Sequence, residues 1–107
     1  MKMRIQLDEQ KIRKEGKYSF DKIVDSLDKA FEKLELYRIH DYSEILTYGG
    51  LDNSSDFAHF GVMYNRLRRE KWFVENLLLW ELHEPIEYFD MKLSNIENLI
   101  PKCKEFL

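Results

Sequence analysis

The feature that most constrains the fold of this chain is one amphipathic helix near its amino-terminus. Six apolar residues recur there at offsets of 0, 3, 4, 7, 11 and 14, namely Phe20, Ile23, Val24, Leu27, Phe31 and Leu34. This spacing places them on one face of a helix of about four turns. Ser19 precedes the segment and is a suitable N-cap. Such a helix must bury its apolar face, so the rest of the chain has to supply a core.

Two short segments predict strands. Residues 1–7 alternate apolar and polar side chains, and the segment EILTY at 44–48 carries β-branched and aromatic residues ahead of a Gly-Gly turn. We expect these two strands to pair. Between the first strand and the long helix, Asp8 would cap a short helix that Gly16 would end.

The second half of the chain is predicted to be mainly helical. One helix follows from the helical period of Phe57, Phe60, Tyr64 and Leu67, with its cap among residues 54–56. A second, central helix is predicted through the apolar segment WFVENLLLW at 72–80.

Pro85 would end that central helix, because proline cannot donate to the helix ladder. The segment IEYFDMKL at 86–93 fits an edge strand or an extended loop, and Ser94 would cap a last helix carrying Ile96, Leu99 and Ile100. The expected fold is therefore a single α+β domain over residues 1–107, mostly helical, with a small two- or three-stranded sheet.

Length and composition fit one small globular domain. The chain has 107 residues, 44% of them hydrophobic, and a net charge of −3. A single cysteine, Cys103, excludes an internal disulfide and fits a reducing compartment. No apolar run reaches the roughly 18 residues of a membrane span, and the amino-terminus lacks a signal-peptide core. We expect a cytoplasmic protein that does not enter a membrane.

An acidic face is predicted on the polar side of the long helix. Its four carboxylates lie at offsets of 0, 3, 7 and 10, namely Asp25, Asp28, Glu32 and Glu35. A surface of this kind would complement a basic channel in a partner protein. Two lysines interleave with these acids, so a plain solvated helix face is the alternative.

A basic segment follows the Phe57–Leu67 helix. Four cations lie between Tyr64 and Trp72, namely Arg66, Arg68, Arg69 and Lys71. They would bind phosphate groups or an acidic protein surface. The alternative is a junction between two helices, where cations offset the dipole of the first helix.

A second acidic series repeats every three residues, at Glu81, Glu84, Glu87 and Asp90. On a continuous helix these acids would form a ridge that imitates phosphate. Since Pro85 interrupts the helix, scatter along a helix end and a loop is the default expectation.

Metal and catalytic sites are not predicted. The three histidines, at positions 40, 59 and 83, lack the short spacings of metal ligands, and Cys103 has no histidine near it in sequence. We expect no cofactor, no metal and no enzymatic activity. Tyr18, Tyr37, Tyr42, Tyr48 and Tyr88 exceed what one small core needs, which favours a protein that binds a partner.

Several segments together resemble a set of small proteins from conjugative and other mobile elements of Gram-positive bacteria. They are IQLDEQKIRKEGKYSFDKI, YGG with DFAHFG, WFVENLLLW, and FDMKLSNIENLI. Some small proteins of such elements are anti-defence factors, including inhibitors of type II CRISPR effector nucleases. The resemblance implies a similar anti-CRISPR role in a host bacterial cell and assigns no role to any residue.

Two hypotheses follow. The first is a non-enzymatic inhibitor or adaptor that binds a protein partner, such as an RNA-guided nuclease, through the acidic face. The second is an accessory or regulatory protein that binds nucleic acid through Arg66, Arg68, Arg69 and Lys71.

Overall fold

The computed structural model describes residues 1–40, 43–52, 54–88 and 91–101, with side chains for all of these except 85–88 and 91–95. The described elements are, in chain order, β1 (Lys2–Leu7), α1 (Glu9–Glu15), α2 (Phe20–Glu32), β2 (Tyr37–Ile39), β3 (Leu46–Gly49), α3 (Asp56–Leu67), α4 (Lys71–Val74), β4 (Leu77–Tyr88) and β5 (Met91–Asn98).

The described strands form one five-stranded antiparallel sheet with the order β2-β3-β1-β4-β5. The expected pairing of the two early strands is confirmed, because β1 pairs with β3. The expectation of a mostly helical domain with two or three strands is wrong, since strands hold nearly as many described residues as helices. The fold is an α+β domain in which the sheet is a major element.

The main error lies at β4, which was predicted as a central helix. Gln6 of β1 pairs with Leu79, but Leu7 pairs with Leu77, so Leu78 is an extra residue in the ladder. This β-bulge leaves Leu78 exposed. The bulge places four apolar residues in a row at 77–80, and such a run hides the period of two that marks a strand.

Pro85 does not end an element but lies within β4, opposite Ser94. The amide of Leu99 donates to the carbonyl of Trp80 at 2.9 Å, so the backbone groups of even-numbered β4 residues point towards β5. Those of Pro85 therefore point to the other side, where β1 has already ended at Lys2, opposite His83. The missing N–H costs no ladder hydrogen bond, which is why a proline is tolerated here.

The last predicted helix begins too early, because within the described residues the chain is helical only from Ile100. Ser94 and Ile96 lie in β5, which pairs antiparallel with β4 along its whole length. Leu99 is buried and follows the strand directly. Apolar residues three and four apart at 96, 99 and 100 imitate a helical period over too short a span to define one.

The first helices begin and end for local reasons. Asp8 Oδ1 accepts from the Lys11 amide at 3.1 Å, and Gly16 ends α1 with φ of +68°, a conformation that favours glycine. Ser19 Oγ accepts from the Lys22 amide at 3.4 Å and caps α2. The predicted caps of both helices are confirmed. At α3 the N-cap position is held by Ser55.

The core lies between one face of the sheet and helices α2, α3 and α4. The Phe31 ring of α2 stacks on Tyr48 of β3 at 3.8 Å between centroids. Trp80 of β4 is fully buried between Tyr64 of α3 at 5.3 Å and Phe73 of α4 at 4.9 Å. The alternating residues of β1 that point to this side are buried, as their period of two predicts.

Candidate functional site

The four acids predicted to form one face on α2 are not equivalent. The side chains of Asp25 and Asp28 are 64% and 24% exposed, and Asp25 pairs with Lys29 at 3.0 Å. Glu32 is exposed and is the last residue of the helix. Glu35 lies beyond the helix with φ of +59°, so it does not continue the stripe. Of the four predicted acids, Asp25 and Glu32 are therefore the two that lie within α2 and are exposed.

Asp28 belongs to the packing of α2 against the sheet. The Tyr48 hydroxyl donates to Asp28 Oδ1 at 2.7 Å, and Arg38 Nη1 lies 3.6 Å from Asp28 Oδ2. Burial, followed by the hydrogen bond to Asp28, raises the pKa of the Tyr48 hydroxyl far above its ordinary value. Asp28 thus links α2 to β3 and β2.

The basic segment is the predicted helix junction. α3 ends at Leu67 and α4 begins at Lys71. Arg66 and Arg69 are exposed, while the half-buried Arg68 lies over the Tyr64 ring at 5.7 Å from the centroid. Lys71 pairs with Glu75 at 3.6 Å. Arg68 and Lys71 therefore have contacts within the chain, while Arg66 and Arg69 are the exposed cations at the end of α3.

The second acidic series follows β4 and not a helix. Glu81 and Glu84 fall on opposite faces of this strand, because their positions differ by an odd number. The side chain of Glu87 and the whole of Asp90 lie outside the described residues. A single ridge of carboxylates is therefore absent from the described part of this segment.

The sheet has a second face that carries none of the packing contacts with α2, α3 and α4 described above. Opposite residues in a register share a face. One row across the sheet is Ile39, Thr47, Arg4, Glu81 and Asn98, and the next is Tyr37, Gly49, Lys2, His83 and Ile96. We call these two rows the helix-free face.

Three large apolar side chains are exposed at the edges of the helix-free face. Tyr37 and Ile39 on β2 are 45% and 42% exposed, and Ile96 on β5 is 54% exposed. Ile39 also leans over β3, where its Cδ1 lies 2.9 Å from the position of a Cβ on Gly49. Of the five tyrosines that the sequence suggested for partner binding, Tyr18 and Tyr37 are exposed and Tyr48 is buried. Tyr42 and the side chain of Tyr88 lie outside the described residues.

A polar chain crosses the centre of the helix-free face. Glu81 Oε1 lies 3.6 Å from Arg4 Nη1 and 3.0 Å from His83 Nε2. All three side chains are between one fifth and one third exposed. Sequence reasoning missed this face because only the strand registers bring Tyr37, Arg4 and Ile96 to the same side.

The remaining candidate residues do not converge. His40 follows β2, His59 lies in α3 and His83 in β4, and Cys103 lies outside the described residues. Among the residues that the structure describes, no group of three or more His, Cys, Asp or Glu side chains is placed to hold a metal ion. In the same part of the chain, no helix is both long and apolar enough to cross a membrane.

Comparison with known proteins gives no relative. No protein-family model, no curated protein and no solved structure matches the chain. The surfaces described above are therefore the basis for inferring its function.

Proposed function

We propose that the chain is a non-enzymatic inhibitor or adaptor that binds a protein partner through the helix-free face. The observation that carries this proposal is the exposure of Tyr37, Ile39 and Ile96 on one side of a five-stranded sheet. Tyrosine and arginine are enriched at protein interfaces. A charged side chain at the centre of an interface is tolerated best when it is paired with a group of opposite charge. The paired Arg4 and Glu81 at the middle of this face meet that requirement.

The partner class is suggested by the resemblance to proteins of mobile elements. It is an effector nuclease of a type II CRISPR system, which would make the chain an anti-defence protein. The exposed acids Asp25 and Glu32 lie on α2, on the other side of the sheet from the helix-free face, and would support a second contact with a basic nucleic-acid channel, since the channel carries the opposite charge.

Matched tyrosine variants test the surface. Tyr37→Ser alters the helix-free face, and Tyr18→Ser removes a tyrosine of similar exposure, 48% against 45%, from the loop between α1 and α2. Tagged chains would be used to recover partners from a Gram-positive lysate with and without nuclease treatment. We expect the wild type to recover a partner protein whether or not the lysate is treated with nuclease. The Tyr18→Ser variant should still recover this partner, and the Tyr37→Ser and Ile96→Ser variants should not. Equal recovery by all variants would reject the helix-free face.

A direct assay tests the partner class. A purified type II effector nuclease loaded with guide RNA would be mixed with the chain before target DNA is added. We expect slower DNA cleavage with the wild type and with Tyr18→Ser, and restored cleavage with Tyr37→Ser. Unchanged cleavage with the wild type would remove this nuclease as the partner while leaving the lysate result to decide on protein binding.

Nucleic-acid binding is a second candidate, supported by the exposure of Arg66 and Arg69 at the end of α3. It predicts binding to oligonucleotides that weakens steeply with added salt and is lost on Arg66→Glu and Arg69→Glu. Fluorescence anisotropy of labelled DNA and RNA at low and moderate salt measures it. Absence of binding at low salt would exclude this candidate.

A further inference from the structure

Helix α3 exposes apolar side chains where α2 exposes only polar ones. The exposed positions of α2 are Asp21, Lys22, Asp25, Ser26, Lys29 and Glu32. In the first turns of α3 the exposed positions are Phe57, Ala58 and Val62, and Phe57 and Val62 are 62% and 52% exposed. A surface helix normally turns polar residues to water. The outward face of α3 therefore has the composition of a helix that packs against a further element.

The shape of this outward face suits another helix. At about 100° per residue, Phe57 and Val62 lie about 140° apart around the helix axis, with Gly61 and Ala58 between them. Among the residues that the structure describes, none has an atom within 4 Å of the position of a Cβ on Gly61 beyond its chain neighbours and its own helix backbone, so the described part of the chain leaves this side of α3 open. Two small residues between two larger ones form a low saddle, and a second helix can approach such a saddle closely.

The charges around α3 are complementary to those of a second α3 in the opposite direction. Exposed Arg66 and Arg69 lie at its carboxyl end, and exposed Asp52 precedes its amino end. Gly61 lies near the middle of α3, which runs from Asp56 to Leu67. An antiparallel pair crossing there would bring the carboxyl end of each helix, with Arg69, towards the amino end of the other, which Asp52 precedes.

We propose that α3 packs antiparallel against α3 of a second copy of this chain in a two-fold symmetric dimer. A two-fold contact requires a patch that complements itself, and the saddle with opposite charges at its ends meets this condition. The α3 layer and the helix-free face lie on opposite sides of the sheet. The dimer would therefore leave both helix-free faces open and would present two partner sites, which strengthens binding to a partner with two epitopes.

The mass of the chain in solution tests this proposal. Sedimentation velocity and light scattering over a wide concentration range should give twice the chain mass of 13.1 kDa. Val62→Asp should shift the protein to monomer, while Ile96→Ser on the helix-free face should leave the dimer intact. Since Val62 is exposed, the variant should fold, and circular dichroism checks that it does.

A charge variant tests the antiparallel register. Arg69→Glu would face Asp52 of the second copy and should raise the dissociation constant of the dimer at least tenfold at low salt. Lys33→Glu makes the same change in net charge at an exposed position after α2 and should leave the constant unchanged. Equal effects of the two variants would reject this register.

A monomer at every concentration, or a dimer that resists Val62→Asp, would overturn the dimer. A monomer that loses its lysate partner on Val62→Asp would also overturn it and would assign α3 to that partner. A monomer at every concentration, or a dimer that resists Val62→Asp, leaves the proposed function intact, because that function depends on Tyr37 and Ile96. Loss of the lysate partner on Val62→Asp would also move the partner contact from the helix-free face to α3. Loss of the partner with Tyr37→Ser while the dimer persists would show that the two surfaces act separately.

Discussion

Replacing Tyr48 with Phe removes one hydroxyl from the contact between α2 and the sheet and keeps the stacked ring. The hydroxyl donates to Asp28 Oδ1 at 2.7 Å, and the ring is fully buried against Phe31. A hydrogen bond to a charged group contributes about 1.5–3 kcal/mol. Asp28 is partly exposed and keeps Arg38 nearby, so water replaces part of the lost interaction. We expect the free energy of unfolding at neutral pH to fall by about 1.5 kcal/mol, measured by urea unfolding.

The same substitution should change how stability depends on alkaline pH. Burial and the hydrogen bond to Asp28 raise the pKa of Tyr48 above its ordinary value of 10.0. Below that pH the tyrosine is neutral in both states and its contribution to stability is complete. Above it the unfolded chain loses a proton that the folded chain keeps, so the unfolding free energy falls by about 1.4 kcal/mol per pH unit. Tyr48→Phe lacks this loss, and the two proteins should become equally stable near about pH 11.

The comparison has a control and a clear contradiction. Tyr37→Phe removes an exposed tyrosine hydroxyl from β2 and should leave the unfolding free energy at neutral pH within about 0.5 kcal/mol of the wild type. A constant difference between the wild type and Tyr48→Phe across the alkaline range would refute the argument. It would mean that the Tyr48 hydroxyl ionises as easily in the folded chain as in the unfolded one.

Three further substitutions are read by urea unfolding monitored by circular dichroism. Trp80→Ala empties a fully buried position between α3 and α4 and should lower the unfolding free energy by about 4 kcal/mol. Gly16→Ala places a side chain at φ of +68° and should lower the unfolding free energy by about 1 kcal/mol, although no atom of the described residues obstructs the new methyl group. Gly61→Ala lies inside α3, where the described residues leave room for the new methyl group, and should raise the stability of the monomer by about 0.5–1 kcal/mol.

The sequence predicted best those elements whose signals are local. Asp8, Gly16 and Ser19 act within a few residues of their own positions, and the caps and termini that they predict are present. The long helix was predicted to reach Leu34 but ends at Glu32. The chain turns there because Glu35 adopts a positive φ and the amides of residues 34–36 return to carbonyls of the last turn.

The second half was predicted less well because two signals competed. From Trp80 to Tyr88, larger apolar residues alternate with polar ones or proline at most positions, the mark of a strand. The bulge at Leu78 adds one apolar residue just before this alternation, so the segment 72–80 imitates a buried helix. The helix-free face could not be predicted at all, because it depends on registers between strands that are distant in sequence.

The acidic stripe shows why charge spacing alone cannot identify a contact surface. The sequence predicts Asp25 and Asp28 on the same polar face of one helix. In the structure, Asp28 accepts a hydrogen bond from the buried Tyr48 hydroxyl, whereas Asp25 forms an exposed ion pair with Lys29. Asp25→Ala should change the unfolding free energy by no more than about 0.5 kcal/mol, because it removes one exposed ion pair. Asp28→Ala should cost about 1–3 kcal/mol, because the Tyr48 hydroxyl is left without its acceptor.

Urea unfolding of these two variants therefore has to precede any binding experiment on α2. Partner binding that is lost only when Asp28 is replaced would report on the packing of α2 against β3. Partner binding that is lost in Asp25→Ala and Glu32→Ala, at unchanged stability, would report on the surface itself. Equal stability of Asp25→Ala and Asp28→Ala would contradict this distinction, because it would mean that Asp28 contributes no more to folding than an exposed acid does.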